Sequence, residues 1–105
     1  MVQVNSAGLR LCSYNMHGIN IGNVYLCDLC DMSDVVLIQE HWLAPDQSHL
    51  LSGFHDDFVC FASSSMSKKL SNGVFRGRPF GGVGVFIKKS LWQHVLHLLR
   101  KLKDS

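Results

Sequence analysis

The alternation of apolar and polar positions divides this chain into a regular succession of strands and helices. Leu9-Arg10-Leu11-Cys12-Ser13-Tyr14 alternates and closes on Asn15, which predicts a first strand. Asn15-Met16-His17-Gly18 then reads as a turn, because Asn and Gly tolerate turn geometry. From Gly22 to Cys30, the apolar Val24, Leu26, Cys27 and Cys30 recur at helical spacing, with Asp28 and Asp31 facing water. Asp31-Met32-Ser33-Asp34 ends that helix and opens Val35-Val36-Leu37-Ile38-Gln39, an apolar, β-branched run of the kind found in buried strands of parallel or mixed sheets. Strand, helix and strand within about thirty residues is the size of a βαβ unit.

Beyond Glu40, His41-Trp42-Leu43-Ala44-Pro45 reads as a loop, and Asp46 to Leu51 as a short helix that starts near Pro45 and stops by Gly53. Phe58 to Ala62 is a third strand. Ser63 to Arg78 is rich in Ser, Gly and basic residues and reads as a mobile loop. Phe80 to Ile87, interrupted by Gly81, Gly82 and Gly84, predicts a fourth strand with close backbone approaches. Leu91, Val95, Leu98 and Leu102 form a helical stripe that Trp92, Leu96 and Leu99 widen, with an extended Trp92–Leu99 as the alternative. The pattern is α/β, with no internal repeat. At 105 residues it suits one small domain but is short for a sheet covered by helices on both faces.

Composition narrows the class. The longest apolar runs are four or five residues, such as Phe58-Val59-Cys60-Phe61-Ala62, too short for a transmembrane helix. Met1 to Arg10 lacks the pattern of a signal peptide, so a soluble intracellular protein, nuclear or cytoplasmic and without a membrane partner, is expected. Charge is lopsided. Residues 1–57 hold seven acids and one base and residues 58–105 nine bases and one acid, so the halves carry −6 and +8. Such asymmetry suits a basic surface for a polyanion, and equally two solvated faces of opposite sign. Cys12 and Cys60 fall in strand-like runs, where free Cys acts as a small hydrophobe. Cys27-Asp28-Leu29-Cys30 has the spacing of a zinc or redox pair. With no second Cys pair, and with His94 and His97 more than sixty residues away, two sulfurs on the inner face of one helix is the expectation.

Several chemistries fall away. The glycines of Gly77-Arg78-Pro79-Phe80-Gly81-Gly82-Val83-Gly84 lack a Gly-Lys-Ser/Thr and lead into a strand, unlike a nucleotide loop. No nucleophile elbow supports a Ser-His-Asp triad. The final stripe, followed by Arg100, Lys101 and Lys103, is a core-facing pattern and not a membrane anchor. One constellation is stronger. Asn15 ends the first predicted strand and Glu40 the second; in parallel neighbours both emerge on one rim of the sheet, with His17 close by. A carboxylate and an amide oxygen suit Mg²⁺, which takes one or two protein carboxylates and completes its shell with water and phosphate.

Three motifs in order, Ser13-Tyr14-Asn15-Met16-His17-Gly18, Leu37-Ile38-Gln39-Glu40-His41-Trp42-Leu43 and Gly77-Arg78-Pro79-Phe80-Gly81-Gly82-Val83-Gly84-Val85-Phe86, resemble the start of the endonuclease/exonuclease/phosphatase family. The nearest likeness is to the endonuclease domain of non-LTR retrotransposons of the long-interspersed-element type. It covers residues 9 to 91 and corresponds to less than half of the family's domain. The resemblance implies the N-terminal portion of a four-layer, deoxyribonuclease-like α/β sandwich. It implies hydrolysis of phosphate esters with Mg²⁺ or Mn²⁺, and DNA as the partner of a full-length relative. By motif, Glu40 matches the metal-ligating Glu, and Asn15 the Asn beside metal and scissile phosphate. His17, Lys68, Lys69, Arg76 and Arg78 are candidate nucleic-acid contacts. The family's Asn-any-Tyr-any-Pro, Gly-Asp-Phe-Asn and Ser-Asp-His motifs do not occur in these 105 residues. The chain is therefore expected to be inactive alone. The alternative is a non-catalytic remnant that binds nucleic acid or protein weakly. An uncovered sheet face and edge would favour self-association.

Overall fold

The computed structural model describes residues 2–6, 8–64 and 81–103. Two antiparallel strands open the chain, β1 (Val2–Ser6) and β2 (Leu9–Asn15). Helix α1 (Ile19–Met32) crosses to β3 (Val35–Gln39), which runs parallel to β2. The βαβ unit is thus present, with a helix longer than its apolar spacing suggested. A short 3-10 segment, Pro45–Leu51, leads to β4 (Phe58–Ser63). Strand β5 (Val83–Lys88) runs directly into helix α2 (Lys89–Lys103). The described strands form one sheet in the order β1-β2-β3-β5-β4, in which only the β2–β3 pair is parallel. This is a mixed α/β architecture.

Three elements differ from the pattern reading. Strand β1 was not foreseen; it pairs along β2 from Val2↔Ser13 to Ser6↔Leu9 and covers what would otherwise be that strand's open edge. Strand β5 starts at Val83, so Gly81 and Gly82 precede it in left-handed conformations, with φ of 66° and 94°. Phe80, the expected first residue of that strand, lies outside the described residues, as do Lys68, Lys69, Arg76 and Arg78. Near the C-terminus the helical reading holds, and the extended one does not.

Register lines up the core. Cys12, Val36, Phe86 and Cys60 form one row across four strands, and Tyr14, Ile38, Gly84 and Ala62 the next. These rows face Leu26, Leu29 and Cys30 of α1, together with Met16, Leu43, Leu51 and Phe58. Burying each such large aliphatic or aromatic side chain contributes roughly 1.5–3 kcal/mol, which is what pins the helix to this face. Burial in turn raises the Cys30 thiol to about 12 and the Cys60 thiol to about 11, leaving both as inert packing groups. The inner-face reading of the Cys27–Cys30 pair is half right: Cys30 is fully buried, but Cys27 is exposed. The buried stripe of α1 runs through Gly22, Leu26, Leu29 and Cys30, while Val24 faces out.

The opposite face of the sheet is largely open. Leu11, Leu37, Phe61 and Val83 are 36%, 47%, 50% and 56% exposed. Helix α2 touches β4 and β5 and sets Trp92 against Phe61, ring centroids 5.2 Å apart, but none of its residues is buried. The core-facing stripe Leu91–Leu102 thus covers this face only in part, and an apolar trough of about 450 Å³ remains between Leu37, Phe61, Val83 and Val85.

Candidate functional site

The parallel β2–β3 pair fixes the geometry of the site. Asn15 lies opposite Gln39 in register, and Glu40 is the next residue, so Asn15 and Glu40 leave the sheet on the same rim. The two strand ends then stay joined. The amides of Met16, Gly18 and Ile19 donate to the carbonyls of Gln39, Glu40 and His41 at 2.9, 2.8 and 3.0 Å. On the other side, the amides of Glu40 and Trp42 donate to the carbonyls of Gly82 and Gly81 at 2.8 and 2.9 Å. The Glu40–Trp42 segment is thus laced between two neighbouring stretches of backbone. This is the rim that βαβ sheets commonly use for ligands, where strand ends open outward.

Backbone strain is concentrated here. Among the described residues, His17, Glu40 and Trp42 are the non-glycine residues with positive φ, at 51°, 59° and 60°. Such conformations are uncommon outside glycine and persist where surroundings over-determine them. The left-handed turn at Glu40 breaks the in–out alternation of β3 and redirects its carboxylate along the rim. Oε2 accepts a hydrogen bond from Trp42 Nε1 at 2.7 Å and another from the Gly81 amide at 3.1 Å. Oε1 has no hydrogen-bond partner among the described residues. Asn15 Oδ1 accepts from the His17 amide at 3.1 Å, which orients the side chain while leaving a lone pair. His17 is exposed in the turn and borders a hollow of about 280 Å³ lined by Gly18, Ile19, Asn20, Ile21 and Trp42.

Beneath the carboxylate lies His41, fully buried. Its Nδ1 accepts from the Leu43 amide at 2.9 Å, so in the neutral ring the proton sits on Nε2 and is donated to the Ser63 carbonyl, also at 2.9 Å. This histidine is a structural pin between the rim and β4. Sequence reasoning passed over His41, Trp42 and Gly81 as supports of Glu40. The only available signals were the adjacency of His41 and Trp42 to Glu40 and a glycine run whose purpose was not apparent. Asn15, His17 and Glu40 are brought together on one rim; the four basic candidates lie outside the described residues.

The fold and rim define an α/β protein with a carboxylate residue and an amide residue at adjoining strand ends on one rim of its sheet. Residues 12–104 match the model of the Endonuclease/Exonuclease/phosphatase family, and the chain belongs to that family. No curated protein and no solved structure matches it significantly. The family hydrolyses phosphate esters as a nuclease or phosphatase and is in general metal-dependent, and the five-stranded mixed sheet agrees with its α/β sandwich. No helix among the described residues is long and apolar enough to cross a membrane.

Proposed function

We infer that this chain carries a partial metal and phosphate half-site of a phosphodiester-hydrolysing endonuclease of the retrotransposon type, acting on DNA. The observation behind this reading is the shared rim of Asn15 and Glu40, with one Glu40 oxygen tethered by Trp42 and Gly81 and the other without a partner among the described residues. The donor chemistry fits a hard divalent cation such as Mg²⁺ or Mn²⁺: one carboxylate oxygen and one amide oxygen, with the remaining shell left to water and phosphate. When bound, such an ion supplies charge stabilisation at the phosphate and leaving oxygen. The chain's own contribution is orientation. Trp42 and Gly81 hold the Glu40 carboxylate, and the His17 amide holds Asn15, so neither must be ordered when substrate arrives. His17, exposed in the adjoining turn, is the candidate contact to the phosphate backbone in this reading.

In the same reading the 105 residues alone do not turn over. They contain no Gly-Asp-Phe-Asn or Ser-Asp-His, so neither a water-positioning pair nor a second electrostatic clamp on the phosphate is supplied. Loss of either a positioned base or an electrostatic clamp costs about 10²–10⁴ in rate. The test is a supercoiled-plasmid nicking assay with Mg²⁺ or Mn²⁺. Background nicking, equal in wild type and Glu40→Ala, is expected; turnover abolished by Glu40→Ala would overturn the claim of inactivity. Mn²⁺-induced broadening of the NMR signals of Asn15 and Glu40 tests the half-site separately. It should vanish in Glu40→Ala, and its absence from the wild-type chain would remove the metal reading.

A further inference from the structure

Far from that rim, the C-terminal half of α1 meets the loop before β4. Cys27 and Asp31 are four residues apart on the helix and so share one face. The Cys27 sulfur, an Asp31 carboxylate oxygen and a His55 ring nitrogen all lie within 4.8 Å of one another. We propose that these three side chains form a site for a thiophilic divalent cation of the Zn²⁺ class, separate from the hard-cation chemistry of Glu40.

The donor set selects the ion. Thiolate, imidazole and carboxylate are zinc ligands, whereas a thiolate is a poor ligand for Mg²⁺. A tetrahedral ion spaces its N and O donors about 3.3 Å apart and its S and N donors about 3.6 Å apart, from bond lengths near 2.0–2.3 Å. The present group lies within 4.8 Å, with His55 Nε2 and Asp31 Oδ1 at 2.9 Å, and Cys27 and Asp31 are exposed side chains with room to rotate onto an ion. His55 is the fixed member. Its side chain is only 12% exposed and its ring stands edge-on against Phe58, centroids 5.0 Å apart. A hollow of about 240 Å³ lined by Cys27, Phe54, His55, Asp56 and Asp57 gives room for a fourth ligand, either water or a carboxylate. The carbonyl end of α1 adds partial negative charge.

Without the ion, His55 Nδ1 accepts from the Asp57 amide at 3.1 Å, and Nε2 donates to Asp31 Oδ1 at 2.9 Å. Coordination through Nε2 moves the ring proton to Nδ1 and gives up the Asp57 contact. Cys27 also loses its proton to solvent on binding. Micromolar affinity that weakens as pH falls is therefore expected, and not the tighter binding of a preorganised four-ligand site. The ion would tie α1 to the 52–57 loop and stabilise the fold by binding it selectively.

Titration of the reduced chain with Co²⁺, followed by Zn²⁺ displacement, tests this. A thiolate-to-cobalt charge-transfer band should appear, together with the visible absorption of tetrahedral cobalt. Cys27→Ala should abolish that band and weaken Zn²⁺ binding at least about tenfold, in line with the loss of one ligand of three. Asp31→Asn should weaken it less, and Glu40→Ala not at all. Zn²⁺ should also raise the Tm of the wild-type chain but not that of Cys27→Ala. Both helix positions are exposed, so their substitution leaves the core intact. A charge-transfer band that survives Cys27→Ala, or no thiolate band at millimolar Co²⁺, would overturn the proposal. Failure here leaves the Glu40 reading untouched, because that site is probed by Mn²⁺ and Glu40→Ala.

Discussion

Gly82 is the residue on which the rim most depends. Its φ of 94° is left-handed, and a Cβ there would collide with the His41 ring, itself fully buried and bonded at both nitrogens. Gly18 is held in the same way, with a φ of 91° and the Trp42 ring 2.6 Å from where a Cβ would sit. Each glycine thus seats an aromatic ring that supports the Glu40 segment. Gly82→Ala should destabilise the chain by about 2–4 kcal/mol, combining backbone strain with displacement of a buried polar ring. Urea unfolding measures this; a loss below about 0.5 kcal/mol, the range of an ordinary surface change, would show that His41 relaxes freely. In sequence, the glycine run announced close approach, but which ring approached it depends on a pairing between residues about forty positions apart. Local pattern carries no such information.

At the scale of elements, both ends of β3 are laced by backbone bonds, at the N-terminal end from the Asp34 amide to the Arg10 carbonyl and from the Lys88 amide to the Asp34 carbonyl. The N-terminal end adds the Asp34 carboxylate. The Arg10 amide donates to Asp34 Oδ2 at 2.8 Å, the Arg10 guanidinium reaches Oδ1 at 3.3 Å and Lys88 Nζ stands 3.7 Å away. These partners, the Arg10 amide foremost and then its guanidinium, hold the Asp34 carboxyl below its ordinary 3.8. A carboxylate depressed in the folded state contributes stability above its unfolded pKa and loses it as pH falls through the folded value. Stability should therefore decline as pH drops below about 4, and Asp34→Asn should flatten that decline while lowering stability at neutral pH. Denaturant midpoints measured across pH 2 to 7 check this; parallel curves for both proteins would dismiss the role of Asp34. The βαβ unit itself was legible, because an apolar run, a helical spacing and a second apolar run follow in order. Which side of α1 is buried was less legible. Ile21, Val24, Tyr25 and Met32 are apolar yet exposed, so the helix carries more than one apolar stripe and only packing selects between them. That ambiguity is why helical spacing alone puts Cys27 on the inner face with Cys30, whereas the structure exposes it.

For the whole molecule, the governing fact is a sheet with one packed face and one that, among the described residues, helix α2 covers only in part. The outer rows expose Leu37, Phe61 and Val83 along a single trough. Contiguous apolar surface of this kind favours association. Concentration-dependent self-association in sedimentation velocity is expected, reduced by Leu37→Lys without loss of far-UV circular dichroism. Equal association by both proteins would move the contact to a strand edge, β1 or β4. Partial cover by the C-terminal stripe was readable from its spacing. How little of the sheet it covers was not, since an amphipathic helix does not reveal how far it projects past its partner.

The lacing around Glu40 has a consequence for how such a chain changes over generations. Five bonds that join residues 16–19 and 81–82 to the 39–42 turn run from main chain to main chain. None of these five needs the side chain at position 15, 17 or 40; the bond from the Gly81 amide to Glu40 Oε2 is the one that would go with that carboxylate. Reactive groups there can be exchanged or lost while the turn that displays them endures. Shape and chemistry at this rim are therefore separable: a chain with other groups at positions 15 and 17, or at 40, can keep the same silhouette.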